Sequence, residues 1–392
     1  MKDKPFLCAL PGAELRASLV RLGAPAYRAE QIHEGLFGRW ITDPAAMATL
    51  PRELRTVLVG EFRSGEVAPA AVERAKDGTV KLLLQLFDGE RIESVIIPSR
   101  NRLTFCLSSQ VGCPVRCQFC ASGRGGLVRN LAAGEILEQL LACCREAGQR
   151  PDNLVFMGIG EPLWNYRALT DALERIGAPD GFAFSPRRIT ISTSGWTPGI
   201  RRLANEGRPW HLALSLHATD DALRAQLIPD ACRRSLDEVL SACCDYRERT
   251  GRIVTFEYLL LAGINDRIEH AVALARLARE CRAKVNIIPF NEVPGLPFSR
   301  PSRDVIRLFA AMVSERGAPV TIRREMGTDI RAACGQLRAA GEGTAQPSPA
   351  QPVPADQEPQ PWKPRSSTSS RRSGKTRNAK ALSTPRGGSP RA

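Results

Sequence analysis

The sequence predicts an α/β fold of parallel strands with helices outside them: a partial (β/α) barrel of the TIM type, preceded by a small helical and hairpin module and followed by a disordered tail. Three observations predict it. From Leu103 to Glu325 short apolar runs alternate with helical patterns, which is the rhythm of repeated βα units. Polar or Gly-rich clusters follow the strand signals, at Gly158 to Pro162, Ser192 to Gly195, Ser215 to His217 and Asn291 to Gly295, as expected where strand ends meet on one active rim. Hydrophobic residues at 43% and charged residues at 24% are globular values.

The elements follow in order. Residues 1–98 form an accessory module, with helical patterns at Glu14 to Leu22, Ala29 to Phe37 and Ala45 to Leu58. Two strand-like pieces, Val80 to Phe87 and Arg91 to Pro98, are joined by Asp88-Gly89, a hairpin turn signal. Residues 99–338 form the core. Its strands are expected at Leu103 to Leu107, Asn153 to Met157, Ile189 to Ser192, His211 to Leu216, Ile253 to Leu261, Lys284 to Pro289 and Val320 to Arg323. Its helices are expected at Ala133 to Arg145, Arg167 to Ile176, Leu236 to Arg249, Glu269 to Cys281 and Ser302 to Ser314. An open doubly wound sheet is the alternative arrangement of such units. Residues 339–392 carry nine prolines, and Val353, Trp362 and Leu382 are their only sizeable apolar groups. Such a segment cannot bury enough surface to offset its ordering entropy.

Charge and cysteine usage narrow the class. The net charge is +14, and the tail holds nine Lys or Arg against three acidic residues, so the folded part is basic as well. Such an excess fits a polyanionic partner. Arg371, Arg372, Lys375, Arg377 and Lys380 form a basic run in the tail. No stretch approaches the ~18 apolar residues of a membrane helix, and Pro11 interrupts the N-terminal apolar stretch before an export signal could form. A cytoplasmic monomer without membrane attachment is expected. In a reducing compartment, twelve cysteines point to metal or catalysis more than to disulfides.

Cys113, Cys117 and Cys120 stand at CxxxCxxC spacing just after the first core strand, with Cys106 seven residues upstream. Three thiols so spaced can hold three irons of a [4Fe-4S] cluster and leave the fourth open for chemistry. The competing reading is a structural zinc site with Cys106 as the fourth ligand.

With Phe119 before the last cysteine, this arrangement resembles the radical S-adenosylmethionine superfamily. Further motifs narrow the likeness: Arg91-Ile-Glu93, Cys106, Arg129 to Glu135, Gly160-Glu161-Pro162 and Ala333-Cys334-Gly-Gln-Leu337. Over residues 10 to 338 the chain resembles the RlmN/Cfr family of RNA adenine methyltransferases, with Ser122 where Thr is frequent. The resemblance implies a [4Fe-4S] cluster on Cys113, Cys117 and Cys120 whose open iron is chelated by S-adenosylmethionine. It implies cofactor contacts at Gly160, Glu161, Ser192, Ser215, Leu216, His217 and Asn291. It implies 23S rRNA and tRNA as substrates, methylated at adenine C2, and the need for a one-electron reductant and a thiol reductant.

The same resemblance implies three catalytic roles. Cys334 is methylated by one cofactor molecule, and a second supplies the radical that takes a hydrogen from that S-methyl group, so that the carbon adds to the base. Glu93 is the proton acceptor. Cys106 is the resolving thiol, leaving a transient disulfide with Cys334, and both thiols are expected to be accessible. Arg124, Arg129, Arg323 and Arg324 are expected to grip RNA around the rim. Cys143, Cys144, Cys232, Cys243, Cys244 and Cys281 are expected to pack helices, and Cys8 has no role. The rivals are C8 methylation of 23S rRNA, as by the related Cfr enzymes, and a non-catalytic zinc-stabilised RNA-binding protein.

Overall fold

Seven parallel strands lie side by side in the order in which they occur in the chain. The structure, a computed structural model, describes residues 4–229 and 234–337; the expectations for Cys232 and for the tail lie outside these residues. Three helices, α1 (Gly12–Arg21), α2 (Arg28–His33) and α3 (Arg52–Glu61), precede β1 (Ala68–Arg74), β2 (Val80–Gln85), β3 (Arg91–Ser99) and β4 (Arg102–Cys106). A small hairpin follows, β5 (Gln110–Gly112) and β6 (Leu127–Asn130), then α4 (Ala133–Ala147), β7 (Asn153–Phe156), α5 (Tyr166–Gly177), β8 (Ile189–Thr193) and α6 (Thr197–Asn205). The chain continues through β9 (His211–Ser215), α7 (Asp221–Leu227), α8 (Leu236–Thr250), β10 (Val254–Leu260), α9 (Ile268–Glu280), β11 (Lys284–Pro289), α10 (Arg303–Glu315) and β12 (Val320–Ile322).

The ten-stranded sheet runs β1-β2-β3-β4-β7-β8-β9-β10-β11-β12. From β4 onward every pair is parallel, while β1, β2 and β3 are antiparallel additions at one edge. A doubly wound sheet would reverse its strand order at a switch point. This one never reverses, so its connections return over one face. It is a partial barrel, and among the described residues no strand pair closes it.

Side-chain alternation assigns the two faces. Leu154, Phe156, Ile189, Ile191, Leu212, Leu214, Phe256, Tyr258, Val285 and Ile287 are buried in the main core with Leu169, Leu203, Val239, Leu274 and Phe309 of the helices. The alternate residues point inward. In register they form rows: Cys106 beside Val155, and Ser215 beside Glu257, Asn286 and Thr321. The second row is tied by Asn286 Nδ2 donating to Glu257 Oε2 at 2.8 Å and Thr321 Oγ1 donating to Asn286 Oδ1 at 3.0 Å.

The expected elements differ in places from those observed. The single helix expected over Ala45 to Leu58 is a 3₁₀ turn, Pro44–Ala46, and then α3. Pro51 sits at the N-cap of α3, where it cannot continue a helix from the preceding turn. Strand β1 was not anticipated; all its residues are exposed, so it carries no buried periodicity. Two cysteines depart from simple packing. Cys244 of α8 and Cys281 at the end of α9 are joined by a disulfide, their Cα atoms 5.0 Å apart, within bridging distance. Cys8, Cys143, Cys144 and Cys243 are buried thiols.

One carboxylate of α4 fastens residues 65–67 of the N-terminal segment. Glu138 is buried, and its two oxygens accept the backbone N–H groups of Gly65, Glu66 and Val67 at 2.7, 2.8 and 3.0 Å. Burial nevertheless pushes its pKa up to about 7. Replacement of Glu138 by Ala strands these N–H groups and is expected to lower the unfolding free energy by about 3 kcal/mol. Denaturant unfolding of the full chain checks this; a loss within error would show that water or neighbours replace the carboxylate.

Candidate active site

The loop between β5 and β6 carries the cysteine triplet. Cys113 N–H donates to Gly126 O at 2.8 Å, and Cys120 N–H to Cys117 O at 3.1 Å. Val115 and Phe119 are buried in this loop against Leu227, Leu259, Ile288 and Phe290. One cavity then gathers most of the expected residues: Cys113, Cys117, Cys120, Gly160, Glu161, Ser192, Ser215, His217 and Cys334. Burial raises the pKa of all three triplet thiols, and the Cys120 and Cys113 sulfurs add to the rise at Cys117. Among the described residues no three His, Cys, Asp or Glu side chains are gathered as a single metal ion needs. Three of its thiols, Cys113, Cys117 and Cys120, sit on one loop, while Cys334 comes from the final segment and Cys106 lies in a neighbouring cavity. The loop triplet fits a cluster, which spreads its thiolates over separate irons and leaves one iron for another ligand.

The segment after β7 is shaped by close backbone approach. Gly160 has φ +110°, and a Cβ there would lie 2.7 Å from Gln110 Cβ, so only glycine fits. Glu161 N–H donates to Gln110 Oε1 at 2.7 Å. The buried Glu161 carboxylate accepts from Leu163 N–H and Ser194 N–H at 3.2 and 2.7 Å. Burial raises its pKa, while these donors act against the rise.

His217 Nδ1 accepts from Leu259 N–H at 2.9 Å. Burial, and then the Arg224 charge, lower its pKa to about 3, so the neutral ring carries its proton on Nε2 as a donor. Phe119 packs edge-on against the ring at 4.9 Å. Asn265, fully buried, donates to His217 O and Leu259 O and accepts from Leu261 N–H. Leu216 differs from its neighbours. Its side chain is in the helix-side core, and its N–H donates to Glu257 O at 3.0 Å.

A second cavity adjoins the first and holds Cys106, Cys334, Asn291 and Arg323. Cys334 and Arg323 line both cavities. Cys334 is half-buried, but Cys106 is buried rather than accessible, because Ala332 and Leu337 pack over it with Val95 and Ile159. Burial, then the Cys334 sulfur, push the Cys106 thiol up to about 12, with the Arg323 guanidinium opposing. Asn291 Nδ2 donates to Cys334 O at 3.4 Å, and its buried Oδ1 has no partner among the described residues.

Glu93 lies in a third cavity of about 500 Å³, with Lys81, Arg124 and Arg331. It shares the inner face of the sheet with Cys106, since Val95 is the register partner of Cys106 and Glu93 lies two residues before it. Of the four arginines expected to hold RNA, Arg124 and Arg324 are exposed. Arg129 is engaged by Asp88 at 2.6 Å and Glu135 at 2.8 Å, and Arg323 faces the thiols. Two further residues shape the rim: Glu257 lines the first cavity, and Asn265 holds the His217 loop. Gln110 and Lys81 carried no sequence signal: Gln110 accepts from Glu161 N–H and Lys81 donates to Ile330 O, partners that only the fold brings near.

A partial (β/α) barrel with a cysteine triplet on the loop after its first parallel strand and an inward cavity at the strand ends defines a radical S-adenosylmethionine enzyme. The Radical SAM superfamily model matches residues 107–275. The chain is 48% identical to the probable dual-specificity RNA methyltransferase RlmN of Moorella thermoacetica, over 83% of this chain and 95% of that one. It is 44% identical to the probable enzyme of that name from Thermosynechococcus vestitus, over 84% and 96%. The crystal structure of a radical SAM methyltransferase from Sphaerobacter thermophilus superposes with a TM-score of 0.82 at 44% identity, covering 86% of this chain and 99% of that one. The chain belongs to the RlmN family of dual-specificity RNA methyltransferases.

Anaerobic purification is expected to yield about four irons per chain. Cys113→Ala, Cys117→Ala or Cys120→Ala should each lose most of that iron, and Cys106→Ala should keep it. Stoichiometric zinc that falls when Cys106 is removed would overturn the cluster assignment.

Proposed function

We propose that this enzyme methylates C2 of an adenosine in 23S rRNA and of an adenosine in tRNA, in the cytoplasm, with Cys334 as the methyl carrier. The observation that supports this most directly is that Cys334 lines both the triplet cavity and the Cys106 cavity. A carrier must meet the methyl source on one side and a resolving thiol on the other. The names of the relatives support the substrate class.

Cys113, Cys117 and Cys120 would hold the [4Fe-4S] cluster. Gly160, Glu161, Ser192, Ser215, His217 and Asn291 would surround the S-adenosylmethionine. When bound, these groups supply the methyl group and the one-electron chemistry that an electron-poor ring carbon requires. Glu161 and the loop around Ser194 keep their geometry through the hydrogen bonds above, and His217 offers its Nε2 proton to the cavity. Cys334 bears the methyl carbon as a thioether and is joined through it to the base. Glu93 takes the C2 proton; a carboxylate lifted from bulk water beside a substrate gains basicity. Once the unpaired electron left by addition has passed to the one-electron system, the Cys106 thiol gives up its proton and attacks the Cys334 sulfur. The sulfur–carbon bond breaks with its electron pair on the methylene carbon, which takes a proton to become the methyl group. A thiol reductant clears the Cys106–Cys334 disulfide.

Burial raises the Cys106 pKa, so the thiol must give up its proton as it attacks, and the Arg323 guanidinium opposes that rise. The module of residues 1–98 and the exposed Arg124 and Arg324 would hold RNA around the target, whose base must be unstacked to enter.

Cys106→Ala is expected to trap RNA covalently on Cys334, visible as a shifted band that Cys334→Ala abolishes. Methylated, freely released RNA from Cys106→Ala would refute the resolving role. Mass-spectrometric mapping of the product should place the methyl group at C2; a C8 methyl group would move the enzyme to the Cfr-like reaction. Replacing both Arg124 and Arg324 by Gln should weaken RNA binding and flatten its salt dependence by about one unit of slope per residue. Unchanged affinity across the salt series would remove both from the interface.

A further inference from the structure

Lys81 occupies the junction between the proposed base and the segment that carries Cys334. Its ammonium lies 3.3 Å from Glu93 Oε1 and 3.2 Å from Glu73 Oε1, and it donates to Ile330 O at 2.8 Å. The side chains of Lys81 and Glu93 are 8% and 3% exposed, so this ion pair is shielded from solvent on the wall of the third cavity. The strand register produces the contact. Glu73 is the cross-strand partner of Lys81, and Glu93 is the partner of Leu83, which puts it diagonal to Lys81 on the same face. The other charged groups on this cavity are Arg124, Glu292, Asp329 and Arg331.

We infer that Lys81 is a positioning residue for proton removal: its ammonium keeps the Glu93 carboxylate ionised and fixed against the cavity, and its bond to Ile330 O registers the Cys334 segment to that carboxylate. The inference rests on Glu93 being the base. Removing a cation 3.3 Å from a buried carboxylate shifts it toward its protonated form, and a protonated Glu93 cannot accept the C2 proton. Formation of the carbon bond between Cys334 and the base precedes that transfer and does not use Glu93. Loss of the Lys81 charge therefore slows release of RNA from the enzyme and leaves formation of the adduct intact. Ordinary loss of structure would slow both.

Full-length Lys81→Gln removes the charge and keeps an N–H donor on the side chain. Lys81→Met removes both, and Lys81→Arg keeps the charge. The covalent RNA–protein adduct is followed by denaturing gel under single-turnover conditions, with Glu93→Gln as reference. The expected result is adduct formation at the wild-type rate in all four variants. Its decay should slow by at least about tenfold in Lys81→Gln, Lys81→Met and Glu93→Gln, and Lys81→Arg should restore release. Wild-type decay in Lys81→Gln beside slow decay in Glu93→Gln would overturn the role of Lys81 alone. Normal decay in Glu93→Gln would overturn the base assignment and the inference with it. If Lys81→Met is unstable by thermal unfolding, Lys81→Gln and Lys81→Arg still decide the outcome. Slow adduct formation in a folded Lys81→Gln would assign Lys81 to segment placement instead and sink the proposal.

Discussion

The site depends on one constraint: residues 324–337, which form no sheet pair, must be held across the inner face of the strands so that Cys334 points inward. Apolar packing accounts for little of this, since only Ala332, Ala333 and Leu337 are buried hydrophobic residues there. Hydrogen bonds from four separate places do the rest. Gly327 N–H donates to Asp77 Oδ2 at 2.8 Å, and Lys76 N–H donates to Asp329 at 3.1 Å, both from the β1–β2 turn. Lys81 on β2 reaches Ile330 O. From the cysteine loop, Ala121 N–H donates to Gly335 O and Ser122 Oγ to Leu337 O. Gln336 donates to Glu292 O after β11. Each bond contributes on the order of 1 kcal/mol, but together they couple the N-terminal hairpin, the cysteine loop and the final segment into one unit. Gly327 shows how tight the fit is: at φ +66°, a Cβ would lie 2.8 Å from Thr79 Cγ2.

Electrostatics inside that frame is dominated by Arg323. It follows β12, donates its backbone N–H to Ile287 O at 2.8 Å, and directs its guanidinium between Glu257, Cys106 and Cys334. The Cys334 sulfur, then Glu257 and Cys106, raise its pKa against the opposing effect of burial. The half-buried guanidinium opposes the rise that burial imposes on the Cys106 thiol. Glu257 counterbalances it when the thiols are neutral. This explains why a carboxylate is tolerated on an inner strand position that otherwise alternates with fully buried apolar residues.

Much of this was legible in the primary structure because the chemistry is local in sequence. Cys113, Cys117 and Cys120 lie within one loop, and Gly160-Glu161 follows a strand whose apolar run is plain. The parallel strands were legible because one face of each is a continuous row of Leu, Ile, Val or Phe. What could not be read depends on partners distant in the chain. Lys81 looks like a solvent-facing residue of a hairpin until Glu93 and Ile330 are brought to it. The burial of Cys106 comes from Ala332 and Leu337, more than 200 residues away. The Cys244–Cys281 bridge needs the juxtaposition of α8 with the end of α9. β1 was silent because it is exposed along its whole length.

The curvature of the sheet can be argued from Arg323 alone. Six strand spacings separate β4 from β12, which in a flat sheet would place them about 29 Å apart. Yet Arg323, the first residue after β12, lines the same cavity as Cys106, the last residue of β4. No arginine side chain spans such a gap, so the sheet must curl until its two parallel edges face each other across the inner cavity. That curl follows from packing on the opposite face, where helices returning in strand order press the apolar rows outward from the barrel interior. The approach of the Cys106 and Cys334 sulfurs is therefore set by side chains such as Phe256, Tyr258 and Phe309 that touch neither. Helix-side packing thus sets the shape of the inner cavity as well as the stability of the fold.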